Sequence, residues 1–176
     1  MHPVRILATV KPGKEEKVKR DILDALYPFD PQVNVQFTGF GGVLIIETKL
    51  KPKRLIGLLS WRRIRHLYRL IPLKIMVSIE NVDSKTLSAA LNDISEGEAT
   101  AVIVKKRGIP SPKAYEIVDK IIGLLKTRNI HLTNRRKASK IVFIEFMGEI
   151  LGVGVLDERT FKFIKEHVSN SHNVDR

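Results

Sequence analysis

The stretch TAVIVKKRGIPSPKAYEIVDKIIGLL, residues 100–125, joins a strand pattern to the best-defined helix of the chain. The strand is predicted over Thr100–Lys105. Ser111 is a natural N-cap for the helix, and Pro112 suits the first helical position. One apolar face then continues with helical spacing through Ala114, Ile117, Val118, Ile121, Ile122 and Leu125. A strand followed by a helix of this kind predicts an α/β module.

Further elements on both sides extend this module over residues 81–168. Asp83 or Ser84 can cap a helix at Leu87–Ile94. After the central helix we expect two strands joined by a turn at Gly148, and then a last helix. Their predicted ranges are Lys140–Phe146, Ile150–Leu156 and Glu158–Val168. Residues 169–176 are expected to form a flexible tail.

The first eighty residues predict a second module with the order βαββαβ. The predicted elements are a strand at Val4–Val10, a helix at Lys14–Leu26, strands at Val33–Phe37 and Val43–Thr48, a short helix at Pro52–Ser60, and a closing strand at Leu73–Ile79. Two right-handed crossovers on an antiparallel sheet make a ferredoxin-like fold. The whole chain is therefore expected to be an α+β or α/β protein with domains at residues 1–80 and 81–168.

The segment Trp61–Arg69 is harder to place. As one straight helix it would mix arginines with Leu55, Leu58 and Leu59 on a single face, so we expect a break near Ser60. In either conformation the arginines are expected to point outward.

Positive charge is concentrated in three stretches without any acid. Lys and Arg number 31 against 19 Asp and Glu, a net charge of +12. The stretches Lys49–Ile79, Ala99–Tyr115 and Lys120–Ile144 hold 20 of these bases. A heat-adapted surface rich in ion pairs would mix its signs. Segregated charge instead favours a binding face for a polyanion such as nucleic acid.

Catalytic patterns are not found. The chain has no cysteine, and its five histidines show no ligand-like pairing, so we expect no metal, no cofactor and no enzymatic activity. The glycines of Gly39–Gly42 lie between two predicted strands, which indicates a hairpin turn rather than a dinucleotide fingerprint. Gly152 and Gly154 lie inside a strand, where glycine more often permits close backbone approach. Glu145 and Glu149 are expected to be cross-strand partners of Lys or Arg. Without a signal peptide or a long apolar run, the protein is expected to be cytoplasmic and not bound to membranes.

Candidate RNA-binding residues lie in two loops of the second module. Lys105, Lys106 and Arg107 come just before the N-terminus of the central helix, where free amides favour an anion. Arg135, Arg136 and Lys137 follow that helix, and both loops are expected to face one phosphate backbone. The full candidate set adds Lys113, Lys140, Arg62, Arg65 and Arg69. Phe40, Trp61 and Tyr68 are either base-stacking residues or core residues.

The second module resembles the THUMP domain. The resemblance is carried by the Lys106-Arg107-Gly108 turn, by Leu132 with Asn134, and by the strands Ile141–Glu145 and Gly152–Val155. The segment Arg69–Pro72 is similar to the corresponding stretch of THUMP-only proteins that assist tRNA cytidine acetylation. Together these likenesses cover about residues 4–165. Relatives often have a proline soon after the position of Asn134, where this chain has Arg135, Arg136 and Lys137 instead.

The resemblance implies a role in tRNA binding. In this family the THUMP part lies near the acceptor stem and its 3′ end, a role carried onto Lys105, Arg107 and Lys113. Because no catalytic domain is expected to follow, the chain is interpreted as an adaptor that presents tRNA to a separate modifying enzyme, with a cytidine acetyltransferase as the implied client. The alternatives are a subunit of a split tRNA-modifying enzyme, an rRNA-binding assembly factor, and a ferredoxin-like regulatory module for a small metabolite.

Overall fold

The computed structural model describes residues 3–108 and 112–169. Within these ranges the fold is mixed α/β, with two sheets and five α-helices. The described residues up to Pro72 and from Arg159 onward form one compact unit, and Leu73–Glu158 form the other. The predicted N-cap Ser111 and residues 170–176 of the predicted tail lie outside the described residues.

The first unit is built on a four-stranded sheet. Its elements are β1 (Val4–Val10), α1 (Glu15–Leu26), β2 (Asn34–Phe37), β3 (Val43–Thr48), α2 (Pro52–Arg62) and β4 (Leu67–Leu73), with α5 (Glu158–Ile164) joining from Arg159 onward. The strand order is β2-β3-β1-β4, and β3 is antiparallel to both β1 and β2. Helix α1 buries Val18, Ile22 and Leu26, which share one face because they are four residues apart.

The last strand of the first sheet differs from its prediction. A strand is present at Ile75–Ser78, within the predicted range Leu73–Ile79, but its predicted place as the closing strand of the first sheet is wrong. It pairs with a strand of the other sheet, and the first sheet contains β4 instead, which ends at Leu73. The division between the units consequently falls at Leu73 rather than near residue 80, and α5 groups with the first unit. The expected break in the basic segment is found at Arg63, which ends α2 in the left-handed conformation.

Asp30 fastens the loop after α1 to the end of β3. Its side chain is only 4% exposed, and one carboxylate oxygen accepts hydrogen bonds from the Thr48 hydroxyl at 2.6 Å and the Lys49 amide at 2.8 Å. The other oxygen accepts from the Gln32 amide at 3.1 Å. These bonds, the one from Thr48 first, hold the pKa of Asp30 below its ordinary value despite burial. The charged form therefore stabilises the fold.

Replacement of Asp30 by asparagine is expected to cost about 1–2 kcal/mol of unfolding free energy at pH 7, because charge-assisted bonds become neutral ones. A carboxyl whose pKa is lowered by folding contributes stability above its unfolded pKa of about 3.9 and loses it on acidification. The difference between wild type and Asp30→Asn should therefore shrink between about pH 5 and pH 2 in urea unfolding experiments. Asp119→Asn, at an exposed position, is the control, and a difference independent of pH would contradict the assignment.

The second unit contains a five-stranded sheet. Its elements are β5 (Ile75–Ser78), α3 (Ser84–Ala90), β6 (Ala99–Arg107), α4 (Pro112–Thr127), β7 (His131–Leu132), β8 (Lys140–Met147) and β9 (Ile150–Asp157). The order is β5-β9-β8-β6-β7, with β6 parallel to both of its neighbours and β9 antiparallel to β8 and β5. Strand β7 pairs only with Ala99 and Thr100, so it covers two residues of β6.

Helices α3 and α4 pack on one face of this sheet. Alternation along β8 places Val142, Ile144 and Phe146 on that face, in one apolar cluster with Ile117 and Ile121 of α4. Four residues of the predicted apolar stripe of α4 are buried, namely Ala114, Ile117, Ile121 and Leu125, whereas Val118 and Ile122 are half-buried.

Two details of the second unit follow their predictions. Asp83 is the N-cap of α3 and accepts a hydrogen bond from the Thr86 amide at 2.7 Å, which lowers the pKa of Asp83 below its usual value. Gly152 permits the close approach expected there, since a Cβ at this position would lie 3.3 Å from the Leu73 side chain.

Candidate nucleic-acid interface

The end of β6 distributes its three cations over both faces of the sheet. Lys106 lies on the face of α4, where its ammonium is 3.3 Å from the centroid of the Tyr115 ring. This is a close cation–π contact, and it holds the lysine beside an exposed aromatic face. Lys105 points to the opposite face and is exposed. Within the described residues, no carboxylate lies within 4.0 Å of its ammonium, so this charge is available to a ligand.

Arg107 forms an ion pair with Glu145, as expected for a cross-strand partner of that carboxylate. Glu145 is 0% exposed, whereas the Arg107 side chain keeps 19% of its surface accessible. Taking a carboxylate out of water costs several kcal/mol unless a cation and hydrogen bonds compensate it. Arg107 therefore has a structural task, which leaves less of its charge for an RNA phosphate.

Lys113 is paired more loosely. Its ammonium lies 2.5 Å from a carboxylate oxygen of Glu80, and both side chains are accessible to solvent. Exposed pairs of this type contribute only about 0–1 kcal/mol, so a phosphate can replace Glu80 at little cost.

Arg135, Arg136 and Lys137 form an exposed turn between β7 and β8. Asn134 organises this turn, because its side-chain oxygen accepts from the Arg136 amide at 3.1 Å and its carbonyl accepts from the Lys137 amide at 3.1 Å. Lys140, half-buried, follows at the first position of β8.

The two basic loops lie at opposite ends of β6. Lys140 pairs with Thr100, whereas Glu145 pairs with Lys105. These two residue pairs are five residues apart along the strands, which is a distance of about 17 Å at 3.3 Å per residue. The structure therefore does not bring the loops together into one anion site. A duplex backbone that contacts both must extend over about five base pairs at 3.4 Å each.

The remaining candidates belong to the first unit. Arg62 ends α2, Arg65 lies in the connection to β4, and both are exposed as expected. Arg69 lies within β4 and is only partly exposed, with its Nε buried, so the outward orientation expected for the arginines does not fully hold for this residue.

Exposed aromatic side chains accompany several of the cations. Trp61 is 79% exposed and is therefore not a core residue, whereas Phe40 and Tyr68 are half-buried. The Arg62 guanidinium carbon lies 5.9 Å from the centroid of the Trp61 ring. Tyr115 was missed by the sequence analysis, although its place beside the apolar stripe of α4 could have marked it as exposed.

In the described ranges, no group of three or more His, Cys, Asp or Glu side chains could hold a metal ion. No helix among the same residues is both long and apolar enough to cross a membrane.

The fold is shared with several solved structures. PH1313 from Pyrococcus horikoshii is similar with a TM-score of 0.67 and 17% identity, over 87% of this chain and 54% of that one. TrmN from Thermus thermophilus is similar with a TM-score of 0.60 and 16% identity, over 86% of this chain and 45% of that one. A 4-thiouridine synthetase in an RNA complex with bound ATP is similar with a TM-score of 0.55 and 17% identity, over 89% of this chain and 42% of that one.

These similarities establish the fold alone, because all three identities are below 20%. The chain spans only about half the length of these proteins, or less. No protein-family model and no curated protein sequence matches it.

Proposed function

We propose that this chain is a non-catalytic, cytoplasmic tRNA-binding adaptor, with a ferredoxin-like first unit and a THUMP-like second unit. It presents tRNA to a separate modifying enzyme, and the sequence resemblance favours a cytidine acetyltransferase. The order βαββαβ and the strand order β2-β3-β1-β4 support the ferredoxin-like assignment. The similarity to a thiouridine synthetase in an RNA complex supports the nature of the ligand.

One observation carries the proposal more than any other. Exposed cations occupy both ends of the β6–β8 strand pair, with Lys105 at one end and Arg135, Arg136 and Lys137 at the other. Exposed Lys and Arg side chains gain free energy from phosphates by releasing condensed counterions, without reading bases. A separation of about 17 Å matches a helical stem better than a small metabolite, because a stem repeats its phosphates along that distance.

The triple variant Lys105→Ala, Arg135→Ala, Arg136→Ala is expected to bind tRNA at least about tenfold more weakly at 0.1 M salt, because three phosphate contacts are lost. Its melting temperature should stay within a few degrees of the wild type, since the replaced side chains are exposed. Gel-shift titration and thermal unfolding measure the two quantities.

A charge-matched control uses three exposed bases of α5 and of the π-helix Lys165–Ser169 that follows it, namely Arg159, Lys162 and Lys165. Alanine at these positions removes the same charge, and tRNA affinity should change much less. Equal losses in the two variants would show that only net charge matters and would contradict the proposed surface.

A further inference from the structure

A cavity of about 290 Å³ lies in the first unit, between α1 and the connection from α2 to β4. Its charged lining consists of Lys17, Asp21, Asp24, Arg62, Arg63 and Arg65. The proposed tRNA surface of the second unit does not include this cavity. Three of the lining residues are arginines within four consecutive positions, which favours an anionic ligand.

The backbone at this connection adopts conformations that are costly for its residues. Arg63 has φ 49° and His66 has φ 71°, both in the left-handed region that favours glycine. Helix α2 ends at Arg62, and the left-handed Arg63 turns the chain at that point. Arg62, Arg63 and Arg65 thereby come to line the same cavity, so the strained turn serves to gather the arginines.

The charges of the lining favour an anion with two negative charges. Lys17 forms an ion pair with Asp21 at 2.8 Å, so this carboxylate is already compensated. The lining as a whole holds four basic and two acidic side chains, which is an excess of two positive charges. An internal phosphodiester carries one negative charge, whereas a phosphate monoester carries about 1.5–2 at pH 7. Arginine also binds the oxygens of a monoester through paired hydrogen bonds.

Trp61 provides a base-stacking surface next to the same arginines. Its indole is 79% exposed, and Arg62 both contacts that ring and lines the cavity. Exposed aromatic rings beside cations bind unpaired bases by stacking, with little dependence on sequence. A phosphate in the cavity and a base on Trp61 would thus belong to one nucleotide or to two adjacent ones.

We infer that this corner of the first unit binds a terminal, unpaired RNA nucleotide that bears a phosphate monoester. Arg62, Arg63 and Arg65 hold the phosphate, and Trp61 stacks on the base. The inference rests on the proposed function only in that the ligand is RNA. It adds a site that recognises the chain end, whereas the surface of the second unit recognises the backbone.

The test measures the intrinsic fluorescence of Trp61, which is the only tryptophan in the sequence. Short single-stranded RNAs of one sequence are titrated with a 5′-phosphate, with a 3′-phosphate, or with neither. At least one phosphorylated form should quench the fluorescence and bind about tenfold more tightly than the unphosphorylated RNA, a gain typical of one charge-assisted contact. The two phosphorylated RNAs distinguish the ends, and inorganic phosphate should compete. Equal affinity for all three RNAs would overturn the inference.

Arg63→Gly separates binding from folding. Glycine relieves the left-handed conformation, so the melting temperature should rise, while the preference for phosphorylated RNA should fall about tenfold. Arg54→Ala is the control for the loss of one arginine from the first unit, since Arg54 lies on α2 outside the cavity lining and its guanidinium carbon is 5.5 Å from the centroid of the Phe29 ring. It should keep the preference. A more stable Arg63→Gly variant with an unchanged preference would exclude the site.

The outcomes also distinguish this inference from the proposed function. If the protein binds whole tRNA in gel shifts but shows no preference for phosphorylated ends, only the terminal site is wrong. If it prefers phosphorylated short RNA but does not bind tRNA, the adaptor role is wrong and the terminal site stands.

Discussion

Arg107→Met is expected to lower the free energy of unfolding by about 3 kcal/mol, because it removes the guanidinium from a carboxylate that has no access to water. Glu145 is 0% exposed, so solvent cannot replace the lost partner in the folded state. In the unfolded chain both side chains are hydrated, and the loss falls on the native state alone. Urea unfolding at pH 7 measures the change.

A double-mutant cycle separates this pair from the general loss of a cation. Arg107→Met combined with Glu145→Leu should recover most of the stability, since apolar replacement of a buried pair is often close to neutral. Lys105→Met removes an exposed charge from the same strand and should change stability by less than about 0.5 kcal/mol. If Arg107→Met is as stable as Lys105→Met, the ion pair does not stabilise the fold, and the charge of Arg107 can bind an RNA phosphate.

Raising the salt concentration from 50 to 200 mM is expected to weaken tRNA binding about a thousandfold or more, if six or more phosphates are contacted. Each contact releases condensed counterions. A plot of the logarithm of the affinity against the logarithm of the salt concentration should therefore have a slope of about −0.9 per phosphate contact. Twenty of the 31 basic residues lie in the three acid-free stretches, which supplies enough cations for this number of contacts. Gel-shift titrations at several salt concentrations give the slope.

The triple variant at Lys105, Arg135 and Arg136 should make that slope shallower by the amount that corresponds to about three phosphate contacts. The charge-matched variant at Arg159, Lys162 and Lys165 should leave it nearly unchanged. Affinity that is insensitive to salt would mean that backbone contacts do not dominate, and the proposed surface would have to be abandoned.

The elements that the sequence predicted well are those with local signals. Helix α4 has its apolar stripe, and the β8–β9 hairpin has a turn with Gly148 at φ 58°. Register and burial of these elements depend mainly on residues within the elements themselves. Their positions therefore follow from periodicity and turn chemistry.

The strand β4 was missed because its sequence contradicts simple rules. Pro72 lies near its end, which β4 tolerates because it is at the edge of its sheet, where a missing amide costs no ladder hydrogen bond. Arg63 and His66 adopt left-handed conformations without the glycine or asparagine that would have marked a turn. Tertiary packing of Leu67, Leu70 and Ile71 decides the outcome, and no short window shows it.

The distance between the basic loops could have been anticipated in part. Lys105 lies where β6 ends, and the loop of Arg135 lies where β8 begins. In a pair of parallel strands, the end of one strand and the beginning of the other lie at opposite ends of the pair. What the sequence does not show is that β6 and β8 are parallel neighbours, since this depends on the order of the strands.

The short partner β7 has a consequence for the behaviour of the protein in solution. Beyond Thr100, the outer side of β6 has no neighbouring strand among the described residues, so its amides and carbonyls could template another chain. Lys105, Lys106 and Arg107 lie along that stretch, and like charges on two copies repel each other when such edges approach. The cations that are candidates for RNA contacts are thus also expected to oppose self-association. Variants that neutralise them should be checked for aggregation by light scattering before any loss of RNA affinity is interpreted.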